Sequence, residues 1–273
     1  MLNQARTLAR ARLEDGLLLR WYMDPLFNGA YPADVLAHLG ADAPRVQPGD
    51  MAAISAALDF LGINYYSRAV VSADAPFDVS RSGLPLTDMG WEVYPEGLTD
   101  LLLRVHRDYP VPPIYLTENG GAFADHLAAG RVHDRDRTDY IASHIAAVGA
   151  ALGQGVPMAG YMVWSLMDNF EWASGYAKRF GIVHVDDATQ KRTPKAVRSW
   201  LARGSGCSPD RHRPLSCWCG FAELTPPTPN DWTLPMPSIT LTARSPSLVS
   251  VRAWRLPFIL SRPRSAPGER SPV

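Results

Sequence analysis

Two carboxylates with aromatic neighbours are the residues of this chain whose types and spacing could do chemistry. Glu171 lies in the aromatic-rich run 160–176, between Trp164 and Trp172. Glu118 follows a second, shorter apolar run upstream. Indole rings cover the apolar C–H face of a sugar ring, and carboxylates accept hydrogen bonds from its hydroxyls. The combination predicts a sugar-binding site.

A third segment brings further polar groups to the end of an apolar run. Residues 59–66 read Asp-Phe-Leu-Gly-Ile-Asn-Tyr-Tyr, so Asn64 and Tyr66 lie at the carboxyl end of a short strand. Three strands that each deliver polar or aromatic groups at their carboxyl ends are typical of a (β/α) barrel active site.

The spacing of apolar residues predicts the elements that must position these groups. The predicted helices are 1–22, 33–39, 96–109, 139–152 and 193–201, and the predicted strands are 60–65, 114–117 and 160–166. Strands that alternate with helices indicate parallel βα units and an α/β fold. Residues 1–203 are therefore expected to form one α/β domain.

The composition changes after Arg203. Residues 204–273 hold 12 of the 24 prolines, 8 arginines and no lysine, without helical or strand periodicity. Such a segment cannot bury enough apolar surface to offset its ordering entropy. We expect residues 204–273 to be a Pro/Ser/Arg-rich tail, disordered or non-native.

Charge and composition exclude several classes of function. Up to Arg203 there are 19 Lys and Arg against 23 Asp and Glu, and this mildly acidic balance argues against a nucleic-acid partner. No apolar run approaches the ~20 residues of a membrane span, and no signal peptide is visible, so we expect a cytoplasmic protein. The three cysteines all lie in the tail without zinc-site spacing, and no phosphate-binding glycine loop occurs. We expect neither a metal nor a cofactor.

The three polar segments, in this order and spacing, resemble the C-terminal half of glycoside hydrolase family 1, the β-glucosidase family. Thr-Glu-Asn-Gly at 117–120 would be an ordinary turn signal alone, and the long block 160–176 makes the resemblance specific. The resemblance covers roughly residues 1–203, and four shorter segments agree with it: 24–32, 88–98, 178–183 and 191–195.

The resemblance implies a (β/α)8 TIM-barrel type of fold, truncated here to about the last three βα units. Family members carry an acid/base glutamate in a Thr-x-Asn-Glu-Pro motif on an earlier strand, and Asn-Glu-Pro does not occur in this sequence. The implied activity is retaining hydrolysis of β-glycosides, of β-glucosidase type, with the acid/base glutamate absent from this chain.

The resemblance also implies roles for individual residues. Glu118 would be the nucleophile that forms a covalent glycosyl-enzyme. Tyr66 and Asn64 would hydrogen-bond the nucleophile or the sugar 2-hydroxyl. The alternative for Glu118 is a surface glutamate in a turn. The alternative for the tyrosines is an aromatic residue packed at a strand end, and this interpretation is stronger for Tyr65 than for Tyr66.

A glycone-binding set follows from the same resemblance. Glu171 would accept from the 4- and 6-hydroxyls, Trp172 would bind the 3-hydroxyl, Trp164 would stack under the sugar and Phe180 would wall the site. A carboxylate at Glu171 would repel a phosphate, which favours an unphosphorylated glycone. A core position is the alternative for Trp164 and Phe180, and less so for Trp172.

Two other kinds of protein stay open. One is a catalytically inactive remnant or interaction fragment. The other is a fragment that needs a separate chain carrying the N-terminal half. The expected small-molecule partner is a β-glucoside or related saccharide, and the sequence leaves the oligomeric state open.

Overall fold

The computed structural model of the chain describes residues 2–72, 82–204 and 249–251. The α-helices are α1 Leu2–Asp15, α2 Trp21–Asn28, α3 Ala33–Leu39, α4 Asp50–Ile54, α5 Pro95–Asp108, α6 Arg135–Leu152 and α7 Ala196–Gly204. The strands are β1 Leu61–Tyr65, β2 Ala69–Val71, β3 Ile114–Asn119, β4 His126–Ala128, β5 Arg131–His133, β6 Met158–Val163, β7 Val183–Val185, β8 Arg192–Pro194 and β9 Val249–Val251.

The centre of the fold is a parallel sheet in the order β1-β3-β6. Helix α5 connects β1 to β3, and α6 connects β3 to β6, so the predicted βα alternation is confirmed. Apolar side chains of the three strands and both helices form one buried cluster. All three strands run the same way, and their carboxyl ends therefore meet at one edge of the sheet.

Helix α5 shows why these segments fold as they do. Leu98, Leu101, Leu102 and Val105 follow the spacing of one helical face, and all four are buried. Glu96 lies in the first turn, where a negative charge is favourable. The prediction of a helix start for Glu96 is thereby confirmed.

The N-terminal helix differs from the single helix predicted over 1–22. Helices α1 and α2 are joined by a π-helical turn, Gly16–Arg20, and α2 continues to Asn28. A side chain at Gly16 would meet Val35 at 2.5 Å, so the glycine lets α3 approach closely. This close approach depends on a distant element and is invisible in the local pattern.

Several short strands were not predicted. Two antiparallel hairpins, β4-β5 and β7-β8, lie in segments with polar residues and no long alternation. Strand β9 pairs antiparallel with β2, in a region where the sequence shows no strand period. The prediction for the remainder of the tail concerns residues outside the described part. Within that part, every helix falls short of the length or the hydropathy of a membrane span.

Candidate active site

Glu118 is the second-last residue of β3, at the carboxyl edge of the sheet. Asn64 of β1 pairs with Glu118 in the parallel register, after a bulge between Ile63 and Asn64. The chain leaves β1 at Tyr66, whose Oη donates a hydrogen bond to Glu118 Oε2 at 2.7 Å. The structure thus joins two groups that are 52 positions apart in the sequence.

The Tyr66 phenol is set up to donate this bond. Burial raises the pKa of Tyr66 well above its usual value, and the hydrogen bond to Glu118 and the negative charges of Glu118 and Glu171 act in the same direction. The phenol therefore stays protonated and keeps the hydrogen that it donates to Glu118 Oε2.

Aromatic rings surround the Tyr66 phenol. The ring centroids of Trp91 and Phe180 lie 5.5 Å and 6.2 Å from that of Tyr66, and Phe180 is buried. Trp91 and Phe180 are themselves 6.3 Å apart. The sequence gives Trp91 no role, although Trp91 lies in the family-like segment 88–98. Its position beside Tyr66 comes from tertiary packing.

Glu171 lies on the loop after β6 and is half-buried. Burial raises the pKa of Glu171, a hydrogen bond from Trp164 lowers it, and the charge of Glu118 raises it, with a net upward shift. Within the described residues, Glu171 Oε2 is buried without a hydrogen-bond partner. An unsatisfied buried oxygen is costly, so this atom is suited to accept a bond from a bound donor.

The other predicted site residues differ in their surroundings. Trp172 is 81% exposed, which rules out the core alternative for it. Trp164 is half-buried and bonds Glu171. Asn64 is buried, and its Oδ1 accepts a hydrogen bond from Thr117 Oγ1 at 2.6 Å.

The structure also shows the surroundings of three further residues near the site. Tyr65 is buried and donates to the carbonyl oxygen of Tyr94 at 2.6 Å, so the packing interpretation is correct for it. Glu92 is buried in an ion pair with Arg68, with 2.6 Å between Nε and Oε2. His144 is buried in α6, where its ring stacks on Tyr140 with centroids 3.9 Å apart.

A buried ion-pair cluster lies behind the loop that carries Glu171. Lys195 Nζ is 2.8 Å from Asp125 Oδ2 and 2.9 Å from Asp168 Oδ1. His184 Nδ1 is 2.9 Å from Asp125 Oδ2, and Arg137 contacts Asp125 at 3.1 Å. The cluster connects the loops after β3 and β6 to β7 and the start of α7.

Charges within the cluster perturb one another. Burial raises the pKa of Asp125, but hydrogen bonds from Lys195 and His184 outweigh it and hold the pKa below its usual value. Burial lowers the pKa of Lys195. Asp125, Asp168 and His184 could offer three ligand atoms within 4.8 Å of one another. The Lys195 ammonium already contacts both carboxylates, so an ion-pair network explains the arrangement.

The sequence matches known proteins over the region that holds this site. The model of Glycosyl hydrolase family 1 matches residues 3–204. Beta-glucosidase A of Thermotoga maritima is 47% identical over 186 residues, which are 66% of this chain and 42% of the relative. Beta-glucosidase of an Agrobacterium species is 42% identical over 200 residues, 70% of this chain and 44% of the relative.

Solved structures agree. The β-glucosidase of Exiguobacterium antarcticum aligns with a TM-score of 0.68 at 40% identity, over 74% of this chain and 46% of that one. A family 1 β-glucosidase from Thermotoga maritima aligns with a TM-score of 0.66 at 43% identity, over 71% of this chain and 45% of that one. The chain thus spans a little under half the length of the proteins it matches. It belongs to glycosyl hydrolase family 1, whose solved relatives have TIM-barrel folds.

Proposed function

We propose that this chain contributes the nucleophile and part of the glycone site for retaining hydrolysis of β-glycosides, of β-glucosidase type. The observation that supports this most is the 2.7 Å hydrogen bond from Tyr66 to Glu118 at the carboxyl edge of a parallel sheet. Glu118 attacks the anomeric carbon as the glycosidic C–O bond breaks, so that a glycosyl ester forms and the aglycone oxygen leaves with a proton from the acid; water then cleaves the ester and frees Glu118. Tyr66 orients the carboxylate for that attack.

The glycone is proposed to lie between Glu118 and Glu171. The buried Glu171 Oε2 would accept a sugar hydroxyl, as the 4- and 6-hydroxyls of glucose can provide. Trp164 holds Glu171 and offers a ring for stacking, Trp172 is exposed and able to reach the 3-hydroxyl, and Phe180 forms the wall next to Tyr66. Asn64 is assigned to the 2-hydroxyl on its register beside Glu118.

The acid/base glutamate is proposed to come from outside this chain. Glu92 is ion-paired, Glu96 lies in the first turn of α5 and Glu14 is near Arg10 on α1. None of these three described glutamates is in an acid-like setting beside Glu118. General acid catalysis typically contributes ~10²–10⁴-fold.

The test uses two substrates and azide on the purified chain. An alkyl β-glucoside should be hydrolysed little or not at all, whereas a dinitrophenyl β-glucoside, whose leaving group needs less acid, should give a weak burst. Azide attacks the anomeric carbon of the ester without a base, so it should speed turnover and yield β-glucosyl azide while freeing the Glu118 carboxylate. Robust hydrolysis of the alkyl glucoside, abolished by Glu118→Gln, would show that the chain holds its own acid.

The second candidate is an interaction fragment that is inactive alone and needs a complementing N-terminal half. Its supporting observation is that β1 and β6 are the outer strands of the sheet, while a closed barrel of this type has eight strands. In this reading residues 1–203 are the last three βα units, and residues 204–273 are a separate tail. Mixing the chain with a chain carrying the first five units of a relative should then restore hydrolysis. A cytoplasmic location stays a prediction.

A further inference from the structure

We propose that Tyr140, Asn119 and Tyr161 are positioning residues that hold the Tyr66 phenol against Glu118. This inference rests on the proposed function, since Tyr66 and Glu118 are its central pair. The three residues lie on three different elements, α6, β3 and β6.

Two consecutive backbone carbonyls at the end of β1 are held by side chains. Asn119 Nδ2 donates to the carbonyl oxygen of Tyr65 at 2.6 Å, and Tyr140 Oη donates to that of Tyr66 at 2.8 Å. Tyr66 is the first residue after β1, where the strand ladder no longer fixes the backbone. The Asn119 bond therefore reinforces the last residue of β1, and the Tyr140 bond holds the backbone of Tyr66 itself just beyond the strand.

The Asn119 amide is held from two sides. The Tyr65 carbonyl oxygen can only accept, so Asn119 Nδ2 must face it, and Oδ1 accepts from Tyr161 Oη of β6 at 2.5 Å. The backbone of Asn119 also accepts from the Trp164 amide at 2.9 Å. Asn119 directly follows Glu118, and its side chain binds the backbone of Tyr65, which directly precedes Tyr66. The backbones that carry Glu118 and Tyr66 are therefore connected through Asn119.

Burial makes this network rigid. Tyr140 is 1% exposed and Asn119 is 0% exposed. The Tyr140 ring lies against His144, and burial keeps its phenol protonated by raising its pKa. Hydrogen bonds in such a setting are stronger than in water, and losing one partner leaves a buried group unsatisfied. A small shift at this depth is transmitted to Tyr66.

The experiment follows the Tyr66 phenol directly by NMR. The full chain is labelled with ¹³C at the tyrosine Cζ, and the Tyr66 resonance is assigned by its loss in Tyr66→Phe. Glu118→Gln should displace this resonance, because the phenol then faces a neutral amide. Tyr140→Phe removes only the donor to the Tyr66 carbonyl, and it should displace the Tyr66 resonance toward its position in Glu118→Gln.

A matched control separates positioning from general destabilisation. Tyr109 is also buried, and its Oη donates to Asp24 Oδ1 of α2 at 2.6 Å. It lies between the end of α5 and the amino end of β3, whereas Glu118 lies at the carboxyl end of that strand. Tyr109→Phe removes a comparable bond and should leave the Tyr66 resonance in place. A Tyr66 resonance that is the same in Tyr140→Phe as in the unmodified chain overturns the inference.

Two further outcomes keep the test decisive. If Tyr140→Phe does not fold, Tyr161→Phe takes its place. This change removes the hydroxyl that donates to Asn119 Oδ1 and so releases the Asn119 amide. An unchanged Tyr66 resonance in Tyr161→Phe also overturns the inference. If Glu118→Gln itself leaves the resonance unmoved, the Tyr66–Glu118 bond is absent, and the proposed function fails rather than the positioning role alone.

Discussion

At the residue scale, the two carboxylates of the candidate site are held in different ways. Glu118 accepts a hydrogen bond from the Tyr66 phenol, which orients its Oε2. Glu171 is bonded by Trp164, while its Oε2 is buried without a partner among the described residues. The first arrangement suits the nucleophile proposed for Glu118, and the second suits the acceptor of sugar hydroxyls proposed for Glu171.

His144 gives a pH-dependent prediction at the same scale. Burial lowers the pKa of His144 from 6.5 to about 4, although the bond with the Tyr140 carbonyl oxygen opposes this. The unfolded chain therefore takes up a proton on this ring at a higher pH than the folded chain does. The free energy of unfolding should fall as the pH falls from 6.5 to about 4, by about 3 kcal/mol for this ring.

Replacing the ring by one that cannot be protonated should remove this contribution. His144→Phe keeps an aromatic ring in the stack on Tyr140. Urea unfolding at a series of pH values should show a shallower loss of stability for the variant over this range. Because every other titrating group is the same in both chains, the difference isolates His144, and equal slopes would contradict its low pKa.

Sequence reasoning reached some of these residues and missed others. Glu118, Tyr66 and Glu171 could be identified because each follows an apolar run with recognisable neighbours. Trp91 could not, since it reaches Tyr66 through the packing of a loop onto the sheet. The burial of His144 does not follow from the sequence either, because a histidine on this helix could be packed or exposed.

At the scale of elements, a close approach between β3 and β6 supports the site. A Cβ at Gly120 would lie 1.8 Å from the carbonyl oxygen of Trp164, and that backbone cannot move aside cheaply. Gly120→Ala should therefore move the end of β3 away from the start of the loop that carries Glu171. The expected loss of stability is about 1–3 kcal/mol, measured by urea unfolding.

Gly149 in α6 is the matched control for this change. A Cβ there meets nothing within 4 Å, so alanine should be tolerated. Because glycine weakens a helix interior, Gly149→Ala should be neutral or stabilise by about 0.5–1 kcal/mol. Equal effects of the two substitutions would show that the β3–β6 approach does not require glycine.

The ion-pair cluster behind the Glu171 loop gives a second prediction at this scale. Lys195 is 1% exposed and contacts Asp125 and Asp168. Lys195→Met leaves these carboxylates buried with fewer partners, and the expected destabilisation is about 3–5 kcal/mol.

Lys191→Met is the control, since Lys191 is exposed on the turn before β8. Its effect on unfolding should stay within about 0.5 kcal/mol. Arg179 also contacts Asp168, with 2.9 Å between Nη1 and Oδ2. A Lys195 variant as stable as the Lys191 variant would mean that His184, Arg137 and Arg179 neutralise the two carboxylates without the lysine.

The elements themselves were predicted unevenly for a physical reason. Helix α3 and the apolar face of α5 follow from local periodicity, and the structure has both. Helix α6 begins at Arg135 rather than at 139, because Arg137 is held in the core by Asp125 and Asp134. The β7-β8 hairpin is likewise short, and His184 of β7 contacts Asp125 of the loop after β3. Long-range charge pairing leaves no periodic trace in the sequence.

At the scale of the whole molecule, the three-stranded sheet and the partial match to relatives both agree with a chain that holds part of a family 1 site. The outer strands β1 and β6 lie on either side of the strand that carries Glu118, and the chain spans 42% of its Thermotoga maritima relative. The central claim is that Glu118 is the nucleophile of a family 1 site to which this chain contributes one part.

Covalent labelling tests that claim most directly. The chain, alone and mixed with a chain that carries the first five βα units of a relative, is treated with dinitrophenyl 2-deoxy-2-fluoro-β-glucoside. The fluorine slows hydrolysis of the ester, and the activated leaving group lets it form. Peptide mass mapping should locate one fluoroglucosyl group on Glu118 in the mixture, and Glu118→Gln should abolish it. A stable complex of the two chains that carries the label on another residue, or carries none, would contradict the claim.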